Sequence, residues 1–152
     1  MSSFGLSMRV KQHFFDRKKV RDQTDRAERK VLSRAGAFIR RRARSSIRRR
    51  KKSSKPGQPP SAHVRGNAGI KNILFAYDER SRSVVVGPVK LNGKAGDAPR
   101  VLEEGGTTSL QRRRGKKRVK VQVAYPAFPY MGPALEAELP KLPPLWRDSV
   151  RG

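Results

Sequence analysis

Between Arg40 and Lys52 the chain carries nine lysines or arginines and no acid: Arg40, Arg41, Arg42, Arg44, Arg48, Arg49, Arg50, Lys51 and Lys52. Groups of this type at this density neutralise phosphate or carboxylate, with an affinity for polyanions that falls as salt rises. A second cluster, Arg112, Arg113, Arg114, Lys116, Lys117 and Arg118 around Gly115, repeats the pattern. Other chemistry is sparsely supplied. Glu103 and Glu104 are adjacent carboxylates that could act as acid and base or hold a metal, but the sequence offers no third ligand beside them. His13 and His63 are the only histidines and stand far apart, so they read as surface residues. With no cysteine, disulfides and thiolate metal sites are excluded. There is no Walker loop and no nucleophile elbow. The expectation is a protein without enzymatic activity, cofactor or metal, whose acids pair with the arginine surplus.

The first basic run must ride on a helix. Leu32, Ala35, Ile39, Ala43 and Ile47 recur at spacings of three and four, with Val31 and Phe38 widening the stripe, so one face is buried while the arginines leave in other directions. This basic helical segment is expected over residues 8–52. Thr24 or Asp25, with Glu28, could cap a second helix, so two helices meeting near Asp22 to Asp25 are as plausible as one. Gly36 within the stripe marks close packing against another element. Residues 53–69 change to Ser, Lys, Pro and Gly, which reads as a loop or interaction arm.

Ile70 to Tyr77 and Ser83 to Val89 read as two strands of an antiparallel hairpin. Leu91 to Pro99 reads as a Gly-containing loop. Val119, Val121 and Val123 alternate with polar residues, which predicts a third strand with one buried face. The basic stretch before it reads as a hairpin tip or exposed loop. Pro133 suits the first turn of a short helix containing Leu135 and Leu139, and Leu145, Trp146 and Val150 supply a last apolar contact. The sum is a single α+β domain over residues 1–152: a long basic N-terminal helix packed on a small, mainly antiparallel sheet of three to four strands, plus a short C-terminal helix. Its segments are 8–52, 53–69, 70–125 and 126–152.

Thirty-seven basic residues against twelve acidic ones give a formal charge of +25 on 152 residues, and self-repulsion of that size favours a neutralising partner. Nucleic acid, an acidic subunit and an anionic membrane are the usual recipients. No apolar run approaches the roughly 20 residues of a bilayer span, and the N-terminus lacks a signal-peptide pattern, so synthesis in the cytoplasm is the default expectation. Apolar content of 35% suggests a thin core and further burial between subunits. Neither zinc-finger spacing nor an RRM aromatic signature is present, so any nucleic-acid binding would be nonspecific.

One ordered series of residues stands out. Phe75-Ala76-Tyr77-Asp78 is followed by Ser83-Val84-Val85-Val86-Gly87-Pro88, then Leu102-Glu103-Glu104-Gly105-Gly106, then Tyr125-Pro126-Ala127-Phe128-Pro129-Tyr130-Met131-Gly132-Pro133-Ala134-Leu135. Over about Val31 to Val150 this resembles the neck proteins of tailed bacteriophages, the family described as head-to-tail joining, tail completion, tail terminator or minor tail proteins. Upstream, Ala35 and Gly36 on the basic helix and Pro59, Pro60, His63 and Gly66 extend it. Relatives often carry arginine where Phe128 stands and threonine where Gly106 stands, and the basic stretch Arg112 to Arg118 is not part of the resemblance.

The resemblance implies a structural virion protein of the neck, made in the host cytoplasm, that forms a homo-oligomeric ring. A hexamer is favoured and a dodecamer is the alternative. Its implied partners are head connector, adaptor or stopper proteins, the tail tube protein and double-stranded genomic DNA in the lumen, without a membrane. The two basic clusters are then candidates for the DNA channel or an acidic neighbouring ring. Leu102, Glu103, Glu104, Gly105, Gly106, Tyr125, Pro126, Phe128, Pro129, Tyr130 and Met131 are candidates for subunit or tail-tube contacts. A nonspecific nucleic-acid-binding protein, ribosome-associated or DNA-coating, is the alternative, and a metal-dependent hydrolase using Glu103 and Glu104 is a distant third.

Overall fold

The computed structural model describes residues 16–62, 69–89, 98–115, 117–147 and 149. His13, His63, Gly66, Lys116, Val150, the loop expected at Leu91 to Pro99 up to residue 97, and the start of the expected first helix at residues 8–15 lie outside the described residues. The order is α1 (Arg17–Ser46), β1 (Ile73–Asp78), β2 (Ser83–Pro88), α2 (Ala98–Glu104), β3 (Gly106–Arg114), β4 (Lys117–Tyr125) and α3 (Met131–Glu138), followed by two short 3-10 turns, Leu139–Lys141 and Pro143–Trp146. The fold is α+β, as expected. The four strands form two separate two-stranded antiparallel sheets, β1 with β2 and β3 with β4.

Helix α1 is unbroken, so the second helix start near Thr24 and Asp25 does not occur. Asp16 provides the cap, its Oδ1 accepting from the Lys19 backbone N–H at 3.0 Å. Thr24 turns its hydroxyl back to the carbonyl of Val20 at 2.9 Å, a bond compatible with a continuing helix. Asp25 and Glu28 are both taken by Arg82, which reaches over from the β1–β2 turn. That turn closes through Arg82 itself, whose φ of 49° is left-handed. At about 1.5 Å per residue, α1 spans roughly 45 Å.

The buried stripe of α1 comprises Ala27, Val31, Ala35, Gly36, Ile39 and Ala43. Its C-terminal half joins Ile47, Ile73, Tyr130 and Ala134 in the core, with Ala62, Ile70, Val86 and Met131 packed around them. The middle of α1 lies against β1 and β2, where a Cβ on Gly36 would stand 2.6 Å from Val84 Cγ2 and 3.0 Å from Phe75 Cδ2. The close packing expected at Gly36 is therefore present. Four of the nine buried apolar residues among the described positions are alanines, so the core is thin.

Residues 53–62 run back along the body rather than away from it. Gly57 N–H donates to the Ala127 carbonyl at 2.8 Å and Ala62 N–H to the Arg48 carbonyl at 3.1 Å. The Tyr130 ring is buried, and its hydroxyl has no hydrogen-bond partner among the described residues. Burial, reinforced by the Glu103 charge, pushes the Tyr130 phenol up to about 12. A phenol whose proton is held more tightly in the folded state contributes stability that is complete below its ordinary value of 10.0 and is lost as pH rises toward 12. Tyr130→Phe should remove that alkaline loss and, by deleting an unpaired buried hydroxyl, stabilise the fold by about 1 kcal/mol at neutral pH. Denaturant melts at pH 7, 10 and 11 check both.

Candidate nucleic-acid and subunit interfaces

The sequence-predicted basic residues divide by what they touch. Arg40 is not free for a partner: its Nε donates to the Ile73 carbonyl at 2.7 Å, pinning α1 to the first residue of β1. Arg42 is likewise consumed, since its Nε pairs with Glu138 of α3, a carboxylate only 6% exposed. Lys141 Nζ completes that cluster at 3.1 Å from Glu138 Oε1. By contrast Arg41, Arg48, Arg49, Lys51 and Lys52 are exposed, as is Arg50, which reaches Gln58 at 3.4 Å. Two residues of the predicted contact set are thus struts to neighbouring elements: positions 40 and 42 lie about 200° apart around the helix, so one meets β1 and the other α3.

The Arg42 hydrogen bond, with Lys141, holds the Glu138 carboxyl below its ordinary value of 4.5 against the opposing effect of burial. A carboxylate with a lowered folded-state pKa contributes stability that is present above pH 4.5 and disappears as pH falls through the folded value. Unfolding midpoints should therefore drop on acidification below about pH 4.5, and Arg42→Ala should lower stability at pH 7 by about 1–2 kcal/mol, since the arginine itself is partly solvated. Paired denaturation curves at pH 7 and pH 3.5 test this, with the difference between wild type and Arg42→Ala shrinking at the lower pH.

The second basic cluster lies on a hairpin. Its arginines extend the strands instead of forming a loop, with Arg112, Arg113 and Arg114 on β3 opposite Val119, Arg118 and Lys117 on β4, and Gly115 at the tip. The strand expected at Val119 to Val123 is present, but its face is not buried in the subunit: Val119 is 42% and Val121 37% exposed. The outer face of β1–β2 repeats this, with Leu74 52% and Val85 61% exposed while Phe75, Tyr77, Val84 and Val86 turn toward α1. Sequence alternation correctly located the apolar face of β4 but not that Val119 and Val121 stay exposed.

In the acidic, glycine-containing stretch Leu102 to Gly106, Leu102, Glu103 and Glu104 close the short helix α2. Gly105 ends it at φ 76°, where a Cβ would stand 3.1 Å from Ala127 N and 3.2 Å from the Tyr125 carbonyl, so the backbone of residues 125–127 can approach closely. Phe128 N–H donates to the Leu102 carbonyl at 2.6 Å. The Glu103 carboxylate then accepts from the backbone N–H groups of Tyr130 at 2.9 Å, Met131 at 3.0 Å and Gly132 at 2.7 Å. This is a helix cap for α3 supplied from 27 residues upstream. Glu104 does what was expected of both acids, pairing with Arg100 at 3.1 Å.

Of the residues assigned by sequence to a subunit or tail-tube contact, Tyr130 is in the core and Glu103 serves α3. Glu104, Gly106 and Pro126 stay exposed, while Leu102, Gly105, Tyr125, Phe128, Pro129 and Met131 are half-buried. Among the described residues, no three His, Asp or Glu side chains come together as a metal site, and no helix is long and apolar enough to cross a membrane. No protein family, curated protein or solved structure was found to match the chain.

Proposed function

We propose that this chain is a structural protein of a tailed-phage virion, forming a homo-oligomeric ring in the neck that completes the tail or joins it to the head connector around the DNA channel. The observation that carries the reading is the pair of uncovered apolar sheet faces, Val119 with Val121 on β4 and Leu74 with Val85 on β1–β2. A lone two-stranded sheet is marginal in water, and a nine-residue strand β4 whose Val119 and Val121 stay exposed calls for a partner surface. We assign that surface to a second copy of the chain. The two faces belong to different sheets, so a contact joining the hairpin of one copy to β1–β2 of the next is heterologous, the type that closes into rings.

The ordered motif series supports the same reading. Its two most recognisable parts, Leu102 to Gly106 and Tyr125 to Pro133, are the parts that Glu103 and Phe128 tie together. The role is structural rather than enzymatic, with connector or stopper proteins, the tail tube and genomic DNA as the partners. The alternative is a monomeric, nonspecific nucleic-acid binder, favoured by the exposed cations of α1.

Light scattering of the purified protein at low and high salt distinguishes them. A discrete species of about six or about twelve copies that survives high salt supports the ring. Val119→Asp with Val121→Asp should then reduce it to monomers, while the far-ultraviolet spectrum stays helical. A wild-type protein that is monomeric at all salts and concentrations would overturn self-assembly through these faces.

A further inference from the structure

The outward side of α1 carries a row of cations that differs from the run read in the sequence. At about 100° per residue, Arg26, Lys30, Arg34 and Arg41 lie on the side of α1 opposite its buried stripe, and Arg48 continues the line just past the helix end. All five are exposed, and no described carboxylate pairs with any of them. Asp25 and Glu28 face Arg82, Asp16 and Asp22 border the N-terminal end of the row beside Arg26, and the sequence holds no further acid from Arg29 to Tyr77. Phe38 stands between two of the cations, with the guanidinium carbons of Arg34 and Arg41 at 5.8 and 5.7 Å from its ring centre. These contacts hold the two arginines splayed along the helix instead of waving free.

We infer that this ridge binds the phosphate backbone of duplex DNA, without sequence preference. Protein interfaces need an apolar, desolvated centre inside a polar rim, and the apolar groups on the ridge are Ala37 and the Phe38 ring, which is half-buried and flanked by the two arginines. Single-stranded nucleic acid is gripped by exposed aromatic platforms, whereas the one ring here is half-buried and already occupied by arginines. What the ridge does offer is a straight row of about 22 Å from Arg26 to Arg41, matched to a stiff rod of regularly spaced phosphates. The inference rests on the neck reading only for where the DNA is met, because binding needs α1 alone and not the ring.

The test is fluorescence anisotropy of a labelled 20-base-pair duplex titrated with the full chain across 50 to 300 mM salt. With about five phosphates neutralised, log K should fall against log salt with a slope of about −4.5. Lys30→Ala with Arg34→Ala and Arg41→Ala should flatten that slope by about 2.7. Alanine is favourable at exposed helix positions, so this triple variant keeps its fold, which a thermal melt verifies. A control triple, Lys55→Ala with Arg80→Ala and Arg147→Ala, removes the same charge away from the ridge and should leave the slope within about 1 of wild type. Equal losses in both triples would show binding by net charge alone and overturn the ridge. So would a wild type that ignores the duplex at 50 mM salt, or one that prefers single-stranded RNA of the same length. Light scattering of the same samples reads the ring separately, so a failed ring and a failed ridge give different results.

Discussion

Glu103→Ala is expected to destabilise the protein by about 3 kcal/mol, although Glu103 is neither at the centre of the core nor paired to an arginine. One carboxylate meets three backbone N–H groups at the start of α3, from Tyr130, Met131 and Gly132. Helix starts leave such donors orphaned, and Tyr130, the N-cap residue, gives them no side-chain hydrogen bond. Alanine would leave all three donors in a half-buried site, while also removing a negative charge from the positive end of the helix dipole. The consequence spreads, because α3 supplies Ala134 to the core and Glu138 to the Arg42 cluster. Glu103→Gln retains an acceptor oxygen and should cost about half as much. Denaturant unfolding of the two variants beside wild type tests the order, and equal stability of wild type and Glu103→Ala would remove the cap from the account.

How much of this was readable from the sequence depends on how far each signal reaches along the chain. The α1 stripe was readable because burial repeats every three or four residues: of the residues expected on it, Val31, Ala35, Ile39, Ala43 and Ile47 are buried, while Leu32 and Phe38 at its edges are half-buried. Hairpin β1–β2 was readable for the same local reason, from apolar strands around a polar turn. The role of Glu103 was not, since its partners lie 27 to 29 residues downstream and backbone N–H groups have no sequence signature. Arg40 and Arg42 look identical to Arg41 in sequence. Only the positions of Ile73 and Glu138 separate strut from surface. Helix α2 was missed because seven residues are too few for periodicity to declare itself. The split into two sheets was hidden because alternation reports that a strand has an apolar face, not which strand lies beside it.

Gly36→Val tests the seam between α1 and β1–β2, and about 3 kcal/mol of destabilisation is expected. In an exposed helix the same change would gain a few tenths of a kcal/mol, because glycine is the worse helix former. Here the first added carbon alone would stand 2.6 Å from Val84 Cγ2 and 3.0 Å from the Phe75 ring, and neither is the loose end of a flexible side chain. Val84 is β-branched and stiff at χ1, so relief requires the sheet to move off the helix. That movement would also strain the Arg82 bridge to Asp25 and Glu28 and the Arg40 bond to the Ile73 carbonyl, which set the distance between the same two elements. Val84→Ala should therefore rescue Gly36→Ala: each change destabilises alone, but together they cost at least about 1 kcal/mol less than their sum, since the new methyl occupies space the valine vacates. A double-mutant cycle that closes additively would mean that the helix and sheet are not in contact at this seam. The thin core would then have to hold α1 through its C-terminal half alone.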